Sequence, residues 1–262
     1  VALATALASE SESVRAANAK TFGLAAVPRY DLAAARCVVS FGSDFLETFG
    51  TPTNQARGFA AMRANHEDGA GHFITVEPRL SLTGANADEW VAVRPVGEMA
   101  LALGMANVIL NEGLGSGVDK SLVAAFSPEA VAASTDVPAE TIQRLARMFA
   151  KLRPSLAIAG GIATQSAQGT ALVAAVNLLN FIVGNIGATV QFDRPLTFDG
   201  VASFADFQTR IAAMAAGNVG LLMVHGANPA YATPQWAGFA EAAAKVPFKM
   251  SFTGVIDETA EL

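Results

Sequence analysis

The sequence predicts an α/β fold in which short buried strands alternate with helices. Three apolar runs, CVVSF at 37–41, FITVE at 73–77 and LAIA at 156–159, have the length and composition of buried strands. The stretches between them are long enough for the helical crossovers that parallel strands require. Together these observations favour a parallel sheet covered by helices.

The first half of the chain shows this alternation in order. A helical start covers residues 9–23, and CVVSFG then ends as a strand at Gly42. A polar loop and a helix through QARGFAAMRAN follow, and HFITVEP is the next strand. VAVRP is predicted as an edge strand, and EMALALGMANVIL as the helix after it.

Two later helices, SPEAVAAS and DVPAETIQRLARMFAKL, carry proline near their first turn, where a missing N–H is tolerated. In the second, a stripe of Ile142, Leu145, Ala146 and Phe149 is expected to pack on the core. SLAIAGG is then predicted as a strand, and ALVAAVNLLNFIVG as a buried helix. The whole pattern indicates a Rossmann-like parallel sheet with helices on both faces.

A change of composition at residues 184–200 predicts a domain boundary, because this segment is rich in Gly, Asp and Pro and has no regular period. We assign residues 1–194 to a Rossmann-like, dinucleotide-binding-type domain and residues 195–262 to an incomplete second α/β domain. The second contains the strands LLMVHG and FKMSF. Since no further sequence completes their sheet, apolar side chains are expected to be exposed there.

Composition argues against several classes of function. A net charge of −6, without a run of Lys or Arg, makes nucleic acid an unexpected partner. Cys37 is the single cysteine, so this chain alone cannot build a disulfide framework or a cysteine-ligated cluster. The most apolar stretch is interrupted by Asn177 and Asn180, and no direct membrane span is expected. The missing start methionine and signal sequence suggest a piece of a longer protein, which leaves the compartment open.

Ligands of open parallel sheets bind outside the carboxyl ends of the strands, so the residues after each apolar run are candidate binding residues. Carboxylates there could contact a ribose or a guanine edge, an arginine could hold a phosphate, and glycines allow close backbone approach. The candidates for a guanine dinucleotide crevice are Gly42, Ser43, Asp44, Glu77, Arg79, Asp88, Gly160, Gly161, His225, Gly226 and Asn228. No catalytic residue and no metal ligand is assigned.

Each of these sites also has a simpler interpretation, since Gly, Asn, Asp and Pro commonly end strands and form turns. No GxGxxG follows the first strand and no GxxxxGK[ST] occurs, so ordinary NAD and P-loop sites lack their phosphate cradle. HEDGAGH, residues 66–72, holds two histidines and two carboxylates without helical ligand spacing. A solvated surface is the preferred interpretation of that segment.

The order of the segments resembles the molybdopterin oxidoreductase family. VEPRLSLTGANADEWVAVRP is similar to the family's acid-proline-arginine signature, and NLLNFIVGNIG and LLMVHGANPAYATP resemble later family segments. The resemblance implies that two Rossmann-like domains hold a molybdenum bis-pterin guanine dinucleotide in the full-length protein. In a cofactor-binding member, Glu77 would contact the guanosine, Arg79 would hold a phosphate and Asp88 would close the loop.

Two further segments, FGSDFLETFGTPTNQARGFAAMR and FKMSFTGVIDETAEL, are similar to the molybdopterin-family-like part of the B subunit of alternative complex III. That resemblance implies a membrane-bound, quinol-oxidising assembly on the periplasmic side of the bacterial inner membrane. In it the fold lacks the cofactor, and electrons pass through iron–sulfur clusters of a separate ferredoxin-like portion. Pro95-Val96-Gly97-Glu98 also departs from the family's Pro-Gly-Thr-acid pattern. Glu77, Arg79 and Asp88 would then bond one another and their own loops.

Three functions stay open on this basis. The first is a structural part of an electron-transfer complex, partnered by other subunits and without a cofactor in this chain. The second is the cofactor-binding portion of a catalytic molybdenum oxidoreductase whose metal and cluster ligands lie upstream. The third is a nucleotide-binding module without redox function.

Overall fold

The computed structural model describes residues 11–64, 69–196 and 201–262. These residues form two compact units, one made of the residues up to 196 and one of those from 201. Each unit has its own hydrophobic core, and the core of the first is much the larger.

The first unit contains six strands and six α-helices within the described residues. The strands are β1 (Val27–Tyr30), β2 (Cys37–Phe41), β3 (His72–Val76), β4 (Glu89–Val91), β5 (Ser155–Ala159) and β6 (Val190–Leu196). The helices are α1 (Glu12–Phe22), α2 (Pro52–Arg63), α3 (Glu98–Asn111), α4 (Pro128–Thr135), α5 (Ala139–Lys151) and α6 (Gly169–Ile182).

Four of these strands form a parallel sheet in the order β4-β3-β2-β5. In the register of this sheet, Cys37 lies between His72 of β3 and Ser155 of β5. The predicted parallel arrangement of the three apolar strands is therefore confirmed. The predicted edge strand is also present as β4, although it begins earlier along the chain than expected.

Strands β2 and β5 of the sheet are buried on both of their faces. Every residue of β2 and β5 is buried, and successive side chains of a strand point to opposite faces. Cys37 is one of these core residues, and burial raises the pKa of its thiol to about 12. The thiol is therefore neutral at physiological pH, as expected for a cysteine that fills space in a core.

Helix α5 packs against α3, α4 and the strands β2 and β5. Its predicted apolar stripe is confirmed, because Ile142, Leu145, Ala146 and Phe149 are all fully buried. The opposite face carries Arg144 and Arg147, which pair with Glu89 and Glu112 respectively. The amphipathic pattern thus positions this helix on the sheet.

Strands β1 and β6 form an antiparallel pair that the sequence pattern did not predict. Tyr30 lies opposite Val190, and Val27 opposite Leu196. The segment 184–200, which has no regular period in the sequence, contains β6 as far as Leu196. A two-stranded, half-exposed pair tolerates the Asp, Arg and Pro of β6, which would be unfavourable in a central strand.

The second unit contains β7 (Leu221–His225), β8 (Phe248–Phe252) and the helices α7 (Phe204–Ala215), α8 (Pro229–Ala232) and α9 (Phe239–Ala243). Strands β7 and β8 are parallel. A small core of Ile211, Met214, Phe239, Ala243 and Val246 lies among its elements. Ser203 and Asp206 cap the start of α7 reciprocally, which fixes where that helix begins.

The two strands of this unit expose apolar side chains, as the sequence predicts. Every residue of β8 is exposed, including Phe248, Met250 and Phe252. Leu221 and Met223 of β7 are also exposed. A parallel pair with so much exposed apolar surface is unusual, because parallel sheets are normally covered on both faces.

No helix in the described part of the chain is long and apolar enough to cross a membrane.

Candidate functional site

The residues that follow β2, β3 and β5 meet at one edge of the parallel sheet, namely the edge formed by the carboxyl ends of its strands. The N–H of Gly42, just after β2, donates to the carbonyl of Val76 at the end of β3 (3.0 Å). The backbone of Gly161, after β5, lies so close to that of Gly42 that an added Cβ would be 2.8 Å from the Gly42 oxygen. The structure therefore brings together the predicted candidates Gly42, Ser43, Asp44, Glu77, Gly160 and Gly161.

Glu77 is buried at this edge, and one of its carboxylate oxygens is used by its own loop. Oε1 accepts hydrogen bonds from the backbone N–H of Ser81 (2.8 Å) and from the Ser81 hydroxyl (2.9 Å). The Ser81 Oγ in turn accepts from the N–H of Gly84 (2.9 Å). A Cβ on Gly84 would come within 2.3 Å of the carboxylate, so only glycine lets the loop close over Glu77.

The backbone of Glu77 is tied to the neighbouring edge strand. Its N–H donates to the carbonyl of Val91 (3.3 Å), and its carbonyl accepts from the indole N–H of Trp90 (2.9 Å). Thr83, on the same loop, accepts from the N–H of Leu46 (3.3 Å). Hydrogen bonds thus connect the turn at Glu77-Pro78-Arg79 and its loop to β4 and to the segment that contains Leu46.

The three glycines at the edge face atoms of their own chain. A Cβ on Gly42 would be 2.5 Å from the Cβ of Ala163, and one on Gly160 would be 2.6 Å from the ring of Phe49. Gly42 and Gly161 have positive φ values of 63° and 56°, which other residues rarely adopt. Their small size therefore serves the close packing of this edge.

Two polar atoms at the same edge are buried without a hydrogen-bond partner among the described residues, namely Ser43 Oγ and Asp44 Oδ1. The other oxygen of Asp44 lies 3.8 Å from Nη2 of Arg79. The Arg79 side chain is 65% exposed, so this pair is loose and largely solvated. Ser43, Asp44 and Arg79 are the part of the edge with unused hydrogen-bonding capacity.

Asp88 lies at the opposite edge of the sheet, which is formed by the amino ends of the strands. It precedes β4, and its Oδ2 accepts from the N–H of Phe73, at the start of β3 (2.8 Å). Arg63 donates to its Oδ1 (2.8 Å), and His72 lies 3.4 Å away. Burial alone would raise the pKa of Asp88, but the hydrogen bonds and charge of Arg63, with the Phe73 N–H, hold it below its usual value.

Asp88 precedes the parallel strand β4 and therefore lies at the amino ends of the strands, whereas Glu77 follows β3 at the carboxyl ends. Asp88 instead joins α2 to the starts of the strands through Arg63. Arg79 likewise does not bond Asp88; its nearest carboxylate is that of Asp44.

The remaining candidates belong to the second unit. His225 ends β7, and its ring centroid lies 6.2 Å from that of Phe252. Gly226 has a φ of 62°, which suits a turn after the strand. Asn228 donates to Glu258 Oε2 (2.6 Å) and accepts from the Thr259 hydroxyl (2.7 Å), and it also caps α8.

These contacts connect the loop after β7 with the DETA segment after β8. The hydrogen bond from Asn228 holds the pKa of Glu258 below its usual value. The nitrogen and the oxygen of the Asn228 side-chain amide therefore both have hydrogen-bond partners within the second unit.

The segment Pro95-Val96-Gly97-Glu98, which differs from the Pro-Gly-Thr-acid pattern of the family, forms an unfavourable turn. Val96 has a φ of 69°, a backbone conformation that is strained for a β-branched residue. Glu98 is 3% exposed, and burial raises the pKa of its carboxyl group. The segment thus keeps a left-handed turn although valine is poorly suited to it.

Of the HEDGAGH segment, residues 66–68 lie outside the described residues. His72 is at its end and contacts Asp88. Within residues 11–64, 69–196 and 201–262, no group of His, Cys, Asp and Glu is arranged to hold a metal ion.

Comparison with known proteins agrees with this architecture. The sequence model of the molybdopterin oxidoreductase family matches residues 4–260. The chain belongs to the molybdopterin oxidoreductase family. The family resemblance predicted from the strand-end motifs is thereby confirmed.

Two curated relatives are similar in sequence to this member of the family. It is 34% identical over 248 residues to the menaquinone reductase, molybdopterin-binding-like subunit of Nitratidesulfovibrio vulgaris, a match that covers 88% of the chain and 36% of the relative. It is 32% identical over 171 residues to the thiosulfate reductase molybdopterin-containing subunit of Salmonella typhimurium, covering 60% of the chain and 21% of the relative. The chain thus spans only about a third or less of the length of these relatives.

A solved structure with a similar fold is acetylene hydratase from Pelobacter acetylenicus. The TM-score is 0.53, and the match covers 67% of this chain and 24% of that one. Since the sequence identity is 24%, this likeness supports the fold alone.

Proposed function

We propose that the chain is part of a structural subunit of a membrane-associated, quinone-linked electron-transfer complex of the alternative complex III type, and that it holds no molybdenum cofactor of its own. The observation that carries this proposal is the contact of Glu77 with Ser81. The buried carboxylate that would contact a guanosine in a cofactor-binding relative accepts two hydrogen bonds from its own loop.

The glycines at the strand ends support the same proposal, because they do not fit a pyrophosphate cradle. A cradle needs space where a Cβ would otherwise lie, so that phosphate oxygens can approach the backbone. At Gly42, Gly160 and Gly161 that space is filled by Ala163, by Phe49 and by the Gly42 carbonyl. A dinucleotide could reach these backbones only if the chain moved away.

The relative from Nitratidesulfovibrio vulgaris supports the proposed setting. Its name describes a molybdopterin-binding-like subunit of a menaquinone reductase. We propose by analogy that this chain works among other subunits, including an iron–sulfur, ferredoxin-like portion that carries the electrons, on the periplasmic side of the inner membrane. The exposed apolar side chains of β7 and β8 support a second unit that is completed by further protein.

The test of this role uses the full-length protein, tagged and purified from its native membranes. We expect it to co-purify with an iron–sulfur protein whose reduced clusters give an EPR signal, and to show no turnover once separated from that protein. A full-length protein that purifies alone and catalyses a reductase reaction would contradict the structural role.

One observation favours an alternative, the binding of a guanine nucleotide at the edge of the sheet. Ser43 Oγ and Asp44 Oδ1 are buried and unpaired among the described residues, and Arg79 is exposed beside them. Calorimetric titration of the full-length protein with a guanine nucleotide distinguishes the two proposals. Micromolar binding that is lost in Arg79→Ala and kept in Arg57→Ala, an exposed arginine on α2, would favour the alternative. Absence of heat favours the structural role.

A further inference from the structure

We draw no further inference here: the strongest candidate, the exposed apolar face that Leu221, Met223, Phe248 and Met250 form on the β7–β8 pair, carries nothing because no feature of the described residues shows what covers it.

Discussion

Replacement of Glu77 by alanine tests whether this carboxylate stabilises its own loop. The change removes two hydrogen bonds to a charged acceptor, from the N–H and the hydroxyl of Ser81, and leaves a buried N–H unpaired. Hydrogen bonds to charged groups contribute about 1.5–3 kcal/mol each, and part of this is offset because the carboxylate no longer has to be buried. We therefore expect the free energy of opening the loop to fall by about 3 kcal/mol.

Native-state hydrogen exchange of the full-length protein measures this quantity directly. A loss of about 3 kcal/mol corresponds to roughly 100-fold faster exchange in peptides that cover residues 77–86. Glu47→Ala is the matched control, because Glu47 is exposed and its side chain forms no hydrogen bond or ion pair among the described residues, so its effect should stay within about 0.5 kcal/mol. If Glu77→Ala exchanges no faster than Glu47→Ala in this segment, the structural role of the carboxylate is refuted.

Three further predictions concern stability and reactivity. Because the pKa of Asp88 is lowered in the folded protein, its carboxylate stabilises the fold above the unfolded pKa of about 3.9, and this contribution is lost as the pH falls below that value. The difference in melting temperature between the wild type and Asp88→Asn should therefore shrink on acidification. A difference that stays constant with pH would refute this prediction. Cys37 should react with a thiol reagent at pH 8 only after denaturation, since its thiol is buried and neutral, whereas fast labelling of the native protein would contradict its place in the core. Val96→Asn should raise the free energy of unfolding by about 0.5–1 kcal/mol in chemical denaturation, because asparagine tolerates a positive φ. The control Val255→Asn replaces an exposed valine without positive φ and should change this free energy little. Equal effects of the two changes would show that Val96 is not strained.

The central sheet could be predicted because its strands are buried on both faces. The runs at Cys37–Phe41, His72–Val76 and Ser155–Ala159 consist mainly of apolar residues, as is typical of strands buried on both faces. The stripe of α5 was predictable for a similar reason, since its apolar residues recur with helical spacing. In these elements, local pattern and tertiary burial agree.

The β1–β6 pair was not predictable from the sequence, because its stability comes from partners far apart in the chain. Val27 pairs with Leu196 across most of the first unit, and neither strand has an apolar run of its own. The burial of Gln55 was also missed, since a polar residue in a helix is expected at the surface.

The strand-end candidates were partly predictable. That Gly42, Glu77 and Gly160 lie near one another follows from parallel topology alone. The contacts that each group makes do not follow from it, because the partner of Glu77 is a serine in its own loop and the neighbour of Gly160 is the ring of Phe49. Asp88 was grouped with the strand-end candidates, whereas it lies before β4 at the amino ends of the strands.

The central claim is that the edge of the sheet beside Glu77 is closed by the protein's own atoms and that the chain contributes no molybdenum site. The most direct test is molybdenum analysis by mass spectrometry, together with detection of oxidised pterin by fluorescence, on the full-length subunit isolated from its native complex. We predict molybdenum far below stoichiometric amounts and no pterin in the extract. Stoichiometric molybdenum accompanied by a guanine-containing pterin would contradict the claim.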